Sequence, residues 1–311
     1  MKESAVQKTW IWSVYISPFM GQPVDDILTT CQHAGLSAVD GTYRFFQNHS
    51  DVEMDAFAKK FREGGIHIKT FHLPFSAADD VSSFYETIRR GAVDRIQIWM
   101  EKASRMGASV GILHPTTTGY NTNTEGLDTY LKQLGKSLKT LLPVAERLNF
   151  KLAIENIPPA QGNRFGSRPE HFTAIVKNFS HPNLGFCLDT GHALVAVEPD
   201  QAHDFLNVMA PYMVAFHLTD NAGDRDSHLA PGHGLVDWNP VFRKAAEIQF
   251  SHPMTIETEE QACEPNKCAR LENIGSTDIV NPWIIVNNKR DWRSIDRILA
   301  EILTDDMTDA E

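Results

Sequence analysis

Asn183-Leu-Gly-Phe-Cys-Leu-Asp189-Thr-Gly-His192 contains a short β-rich run, Leu184–Asp189, that stops on a carboxylate. A core strand has no packing reason to end that way. Outward from this stretch the same form recurs, in Ile11–Ser17, Ala38–Asp40, Ile66–His72, Ser109–His114, Lys151–Glu155, Met213–Leu218 and Met254–Glu257. Between the runs lie segments of helical period: Val24–His33, Asp51–Glu63, Phe84–Met106, Thr124–Leu148, Pro169–Val176, Pro199–Met209, Pro240–Ile248 and Asp291–Leu303. Strand and helix each occur eight times and alternate, which is the sequence mark of a parallel sheet with helical crossovers. The expected class is therefore α/β, a (β/α)8 TIM barrel forming a single domain over residues 1–303. An irregular insertion is expected near 261–280, with an acidic tail at 304–311.

The polar residues are not scattered. Seven of the eight runs end in, or pass directly into, His, Asp or Glu. In a parallel barrel the carboxyl ends of all strands open on one face, where residues distant in sequence converge. His72, His114, Glu155, Asp189, His192, His217 and Glu257 make up that set in chain order. Imidazoles suit Zn²⁺, Co²⁺ or Mn²⁺, and three carboxylates with one histidine lean towards the harder Mn²⁺. The loop after the seventh strand adds a further pair of donors, Asp226 and His228.

Composition narrows the function classes. With 40 acidic and 29 basic side chains the formal charge is −11, which leaves no basic reservoir for indiscriminate phosphate binding. Nucleic acid is thus not the expected partner. No run of 18 apolar residues occurs and the start lacks a secretory pattern, so neither a membrane span nor export is expected. Cys31, Cys187, Cys263 and Cys268 form neither a disulfide framework nor a CxxC pair, and a reducing cytoplasm is the expected location. Self-association through an exposed helical face is a further expectation that the sequence does not place.

Three motifs together, Asn183 to His192, His217-Leu-Thr-Asp-Asn221, and Pro231-Gly-His-Gly-Leu-Val-Asp237-Trp238, resemble the xylose-isomerase-like TIM barrels. That superfamily contains sugar-phosphate isomerases and epimerases, ketose 3-epimerases and type 2 apurinic endonucleases. The resemblance implies a divalent metal held by Glu155, Asp189, His217 and Glu257, with Mn²⁺ first and Zn²⁺, Co²⁺ or Mg²⁺ as alternatives. It also implies that Glu155 and Glu257 flank a small carbohydrate, one removing a proton beside the carbonyl and the other returning it through an enediolate. Asp40 and Arg225 are candidate substrate contacts, although many relatives carry Glu at the end of the second strand. His72, His114, His192, Asp226 and His228 are candidates for further metal or substrate contacts. A glutamate among other carboxylates is expected to have its pKa raised towards the working range of a base.

Two other chemistries use the same residues. An endonuclease IV-like zinc phosphodiesterase acting on abasic DNA would use His72, His114, Glu155, Asp189, His192, His217, Asp226, His228 and Glu257, and all nine positions are filled. A metal-dependent lyase or dehydratase on an oxidised sugar would follow from enolate formation beside a leaving group. The sequence reading places the isomerase or epimerase first, because its four-ligand core carries two glutamates and the net charge is unfavourable for DNA.

Overall fold

Side chains two apart on a strand share a face, and this parity builds the molecule. In Lys151–Glu155, Leu152 and Ile154 join the large core beneath the helices, while Ala153 belongs to a separate cluster with Val110, Ile112, Cys187 and Ala215. The second cluster is the filling of a barrel. Glu155 has the parity of Ala153, Asp189 that of Cys187 and His217 that of Ala215, so each functional strand end continues an inward-facing row.

The computed structural model describes residues 10–160, 162–196 and 202–258. Its strands are β1 (Ile11–Tyr15), β2 (Ala38–Thr42), β3 (His67–His72), β4 (Val110–Leu113), β5 (Lys151–Glu155), β6 (Leu184–Asp189), β7 (Met213–Leu218) and β8 (Pro253–Ile256). They form a closed barrel in sequence order, and parallel pairing of β1 with β8 closes it. The α/β (β/α)8 TIM barrel expected from the sequence is the fold observed. Most strand positions are buried on both faces, which explains why the strands read as nearly continuous apolar runs.

The described helices are α1 (Val24–His33), α2 (Tyr43–Phe46), α3 (Asp51–Glu63), α4 (Glu86–Met106), α5 (Thr122–Glu125), α6 (Leu127–Arg147), α7 (Pro169–Asn178), α8 (Thr190–Ala196), α9 (Ala202–Met209) and α10 (Trp238–Glu247). Ser50 and Glu53 start α3 with a reciprocal capping box, and Gly107 ends α4 in the left-handed conformation. The helix expected over Thr124–Leu148 is divided at Gly126, whose φ of 83° does not continue a helix. Helices α2 and α8 are too short to show a period; α8 starts where Asp189 Oδ1 accepts the His192 backbone N–H at 2.7 Å.

Among the described residues, no helix is long and apolar enough to cross a membrane. The helix expected over Asp291–Leu303, the insertion at 261–280, the tail at 304–311, and Cys263 and Cys268 all lie outside the described residues.

Candidate active site

Four strand ends meet at the carboxyl face. His72, Glu155, His217 and Glu257 are buried and present ligand atoms within 4.8 Å of one another. Nδ1 of His217 lies 2.6 Å from Glu155 Oε1 and 2.9 Å from Glu257 Oε2, so glutamates from β5 and from the end of β8 converge on one imidazole. Glu155 Oε2 is 3.0 Å from His114 Nε2 and 3.5 Å from His72 Nε2. Asp189 is grouped with Glu155 and His192, and His192 is grouped with Asp226 and His228. Glu155 and His192 therefore link three overlapping donor sets into one belt.

The belt is held from behind. Asn156 accepts the Asp189 N–H at 2.7 Å and donates through Nδ2 to the Asp189 carbonyl at 2.8 Å, while its own carbonyl lies 2.8 Å from His192 Nδ1. Thr219 Oγ1 donates to Asp189 Oδ1 at 2.9 Å and accepts the Gly191 N–H at 3.0 Å. A Cβ at Gly191 would run into Thr219 Oγ1 and come within 3.2 Å of Asn221 Nδ2. Gly191→Ala is therefore expected to cost about 2 kcal/mol, read as a lower urea midpoint; an unchanged midpoint would contradict this packing.

Asp220 anchors the loop that carries Asp226 and His228. Its carboxylate accepts N–H groups from Asn221 at 2.9 Å, Gly232 at 2.9 Å, Val236 at 3.0 Å and Trp238 Nε1 at 3.3 Å. Its backbone also pairs with Leu229 in an antiparallel bridge that closes the loop at its base. The motif Pro231 to Trp238 thus supplies three of the four donors to one buried carboxylate. Within the loop His228 adopts φ 42°, a left-handed conformation uncommon outside glycine. Its Nε2 lies 3.2 Å from Asp226 Oδ1, and His192 Nε2 lies 3.3 Å from Asp226 Oδ2.

Charge is shared in the opposite sense to that expected from the sequence. Burial alone would raise both glutamates, but the histidines outweigh it. Glu155 is held well below the usual range, chiefly by His217 and His114, and Glu257 is held down to about 2 by His217 and His72. Against burial, Glu257, Asp40 and Glu155 push His72 up to about 9; Asp226 and Glu257 do the same for His228. Asp189 instead is raised, first by burial. The correction has a simple cause: three imidazoles from other strands face Glu155, and a linear sequence does not show them.

A raised histidine contributes stability that is present below its unfolded pKa of about 6.5 and is lost as pH rises through its folded value. The metal-free protein is therefore expected to lose on the order of 5 °C in Tm between pH 6.5 and 9.5 as His72 and His228 deprotonate. Scanning calorimetry after chelation reads this directly. A Tm that is flat or rising over that window would contradict the charge assignment.

The site opens into a cavity of about 270 Å³. Glu155, Glu257, His72 and His114 face it, Tyr15, Phe75, Ile157 and Pro158 wall it, and Arg44, Arg164, Asp226, His192 and His228 complete its lining. Asp40 and Asp189 are fully buried and are not among the lining residues. Asp40 Oδ2 sits 3.2 Å from His72 Nδ1 and 3.7 Å from His217 Nε2, against the histidines. Arg225 is exposed on the loop after β7 and does not line the cavity. The sequence reading passed over Tyr15, Arg44 and Arg164 as site residues and did not give Asn156 its supporting role; only Asn156, next to a strand-end glutamate, carried a signal.

The residues present fit a divalent cation. Asp189 Oδ2, Glu155 Oε2, Glu257 Oε2 and His217 Nε2 are buried without an aligned hydrogen bond. Buried carboxylate oxygens left this way are costly, and a cation satisfies several at once. A set of imidazole nitrogens and carboxylate oxygens suits Mn²⁺, Co²⁺ or Zn²⁺.

The xylose isomerase-like TIM barrel family matches residues 28–275. The chain belongs to that family. An uncharacterized protein of Methanocaldococcus jannaschii is 30% identical over 225 residues, covering 70% of this chain and 71% of the relative. Fructoselysine 3-epimerase of Escherichia coli O157:H7 is 23% identical over 217 residues, covering 65% and 76%. A probable endonuclease 4 of Mycoplasma pneumoniae is 22% identical over 184 residues, covering 54% and 60%. The solved structure of L-ribulose 3-epimerase superposes with a TM-score of 0.74 at 13% identity, covering 97% of this chain and 99% of that one. That likeness is one of fold.

Proposed function

We propose that this chain is a divalent-metal-dependent isomerase or epimerase of a small sugar, sugar phosphate or related ketone. The observation that carries the reading is the convergence of Glu155 and Glu257, from β5 and the end of β8, on His217 Nδ1 at the floor of a small cavity. Glu155, Asp189, His217 and Glu257 would hold the cation, with Mn²⁺ the first candidate, and when bound it would supply the Lewis acidity that a weakly acidic proton beside a carbonyl requires.

The chain's own groups account for the rest. Both glutamates are held ionised, the form in which a carboxylate accepts a proton. Removal of a proton by one and its return by the other, on the opposite face of an enediolate, inverts a carbon; return to the neighbouring carbon isomerises the sugar. Tyr15, Phe75, Ile157 and Pro158 restrict the cavity to a small molecule. The epimerase relatives agree with this chemistry.

One observation favours a second reading. His192, Asp226 and His228 form a donor set of their own beside the first, which suits a multi-zinc phosphodiesterase acting on abasic DNA. Products separate the chemistries when a panel of ketoses and an abasic duplex is incubated with the metal-loaded protein in D₂O. Deuterium in a retained sugar supports the proposal; a nicked duplex, or a released leaving group without an isomeric product, would overturn it.

A further inference from the structure

We propose that Arg44 and Arg164 form an oxyanion subsite at the mouth of the cavity, so that the substrate carries a phosphate or carboxylate on the part of the molecule away from its reacting carbonyl. The inference names the substrate class of the same cavity and rests on its reading as a sugar site.

The two guanidiniums reach the cavity from different elements, Arg44 from α2 and Arg164 from the loop after β5. Arg44 follows β2 and lies over the Phe75 ring, its Cζ 4.2 Å from the centroid. Phe75 in turn stacks on His114, with centroids 4.6 Å apart. Arg164 follows β5 and is fixed to the loop just beyond His114, donating through Nε to the Thr118 carbonyl at 2.9 Å and through Nη2 to the Thr116 carbonyl at 3.2 Å. Its charge reaches His114 and contributes, after burial, to the lowering of that histidine's pKa.

Neither guanidinium is neutralised. Among the described residues, no carboxylate lies within 4.0 Å of Arg44 or Arg164; Asp80 and Asp226 act on Arg164 only from longer range. Backbone carbonyls hold Arg164 in place without cancelling its charge. They leave both Nη1 hydrogens and one on Nη2 unused, and the side chain of Arg44 makes no hydrogen bond to a described residue. Burial pushes the Arg164 pKa down, and a half-buried cation is costly to keep uncompensated. Two guanidinium forks, the half-buried Arg164 and the exposed Arg44, facing one small cavity match the planar, bidentate recognition of phosphate or carboxylate. A neutral ketose would leave the half-buried charge of Arg164 unmatched.

The test is calorimetric titration of the chelated, metal-free protein with ribitol, ribitol 5-phosphate and ribonate, none of which can turn over. One of the two anions is expected to bind at least about 30-fold more tightly than ribitol, and which one does so identifies the oxyanion. Arg44→Leu and Arg164→Leu should each reduce that advantage about 10-fold, the loss of one charge-assisted pair. Arg164→Lys, which keeps the charge and loses the fork, serves if Arg164→Leu does not fold. Equal binding of the three compounds, or an advantage that survives both substitutions, overturns the subsite and leaves the epimerase reading intact. Arginine-dependent binding supports the subsite even if no ketose exchanges its proton, a result that would count against the catalytic reading alone.

Discussion

Glu155→Gln is expected to lower turnover by about 10³-fold, within the range that a positioned general base supplies. The charge removed is the one on which His217, His114 and His72 converge at 2.6, 3.0 and 3.5 Å. Glutamine keeps the shape but replaces an acceptor oxygen with an N–H₂ group facing imidazole donors, and it does not accept a carbon-bound proton. Glu257→Gln should produce a loss of similar size, because the epimerase reading requires an acid/base on each face of the substrate. Deuterium wash-in at the carbon beside the carbonyl reads the step itself. Full retained exchange in either variant would remove the role assigned to that glutamate.

The largest structural effect is expected at Asp220, which touches neither the cavity nor the first donor set. Asp220→Ala removes the acceptor for four N–H groups, those of Asn221, Gly232, Val236 and Trp238 Nε1. A hydrogen bond to a charged acceptor is worth about 1.5–3 kcal/mol, and donors left buried add their own cost. Some of the four can turn to water once the loop loosens, so the expected loss is about 4 kcal/mol. Asp220→Asn keeps two of the acceptor positions and should cost roughly half as much. Urea unfolding separates these cases. A loss below about 1 kcal/mol for Asp220→Ala would contradict its place as the anchor of the Asp226 and His228 loop.

What was legible in the sequence and what was not divides along the physics of strands and loops. Glu155, Asp189 and His217 lie at strand ends, where a period of two and a parallel register decide which way a side chain faces. Their convergence therefore followed from counting strands. Arg44, in the short helix α2, and Arg164, on the loop after β5, are placed by a ring at Phe75 and by carbonyls at Thr116 and Thr118, contacts that no local pattern encodes. Arg225, conspicuous beside Asp226 in the sequence, is exposed and does not line the cavity. Asp40 has inward parity but is fully buried against His72 and His217 and does not line the cavity. The direction of the glutamate pKa shifts was hidden for the same reason as the arginines, since the imidazoles that decide it come from β3, β4 and β7.

The metal content of the protein, purified without added metal and without exposure to nickel, is the measurement that bears most directly on the account. Elemental mass spectrometry should find one divalent ion per chain, manganese or cobalt in preference to zinc, and Glu155→Gln should hold that ion more weakly while still binding it when metal is supplied in excess. No bound ion would contradict the metal centre built from Glu155, Asp189, His217 and Glu257. Two or three zinc ions per chain would instead occupy His192, Asp226 and His228 as well, and would contradict the epimerase in favour of phosphodiester cleavage.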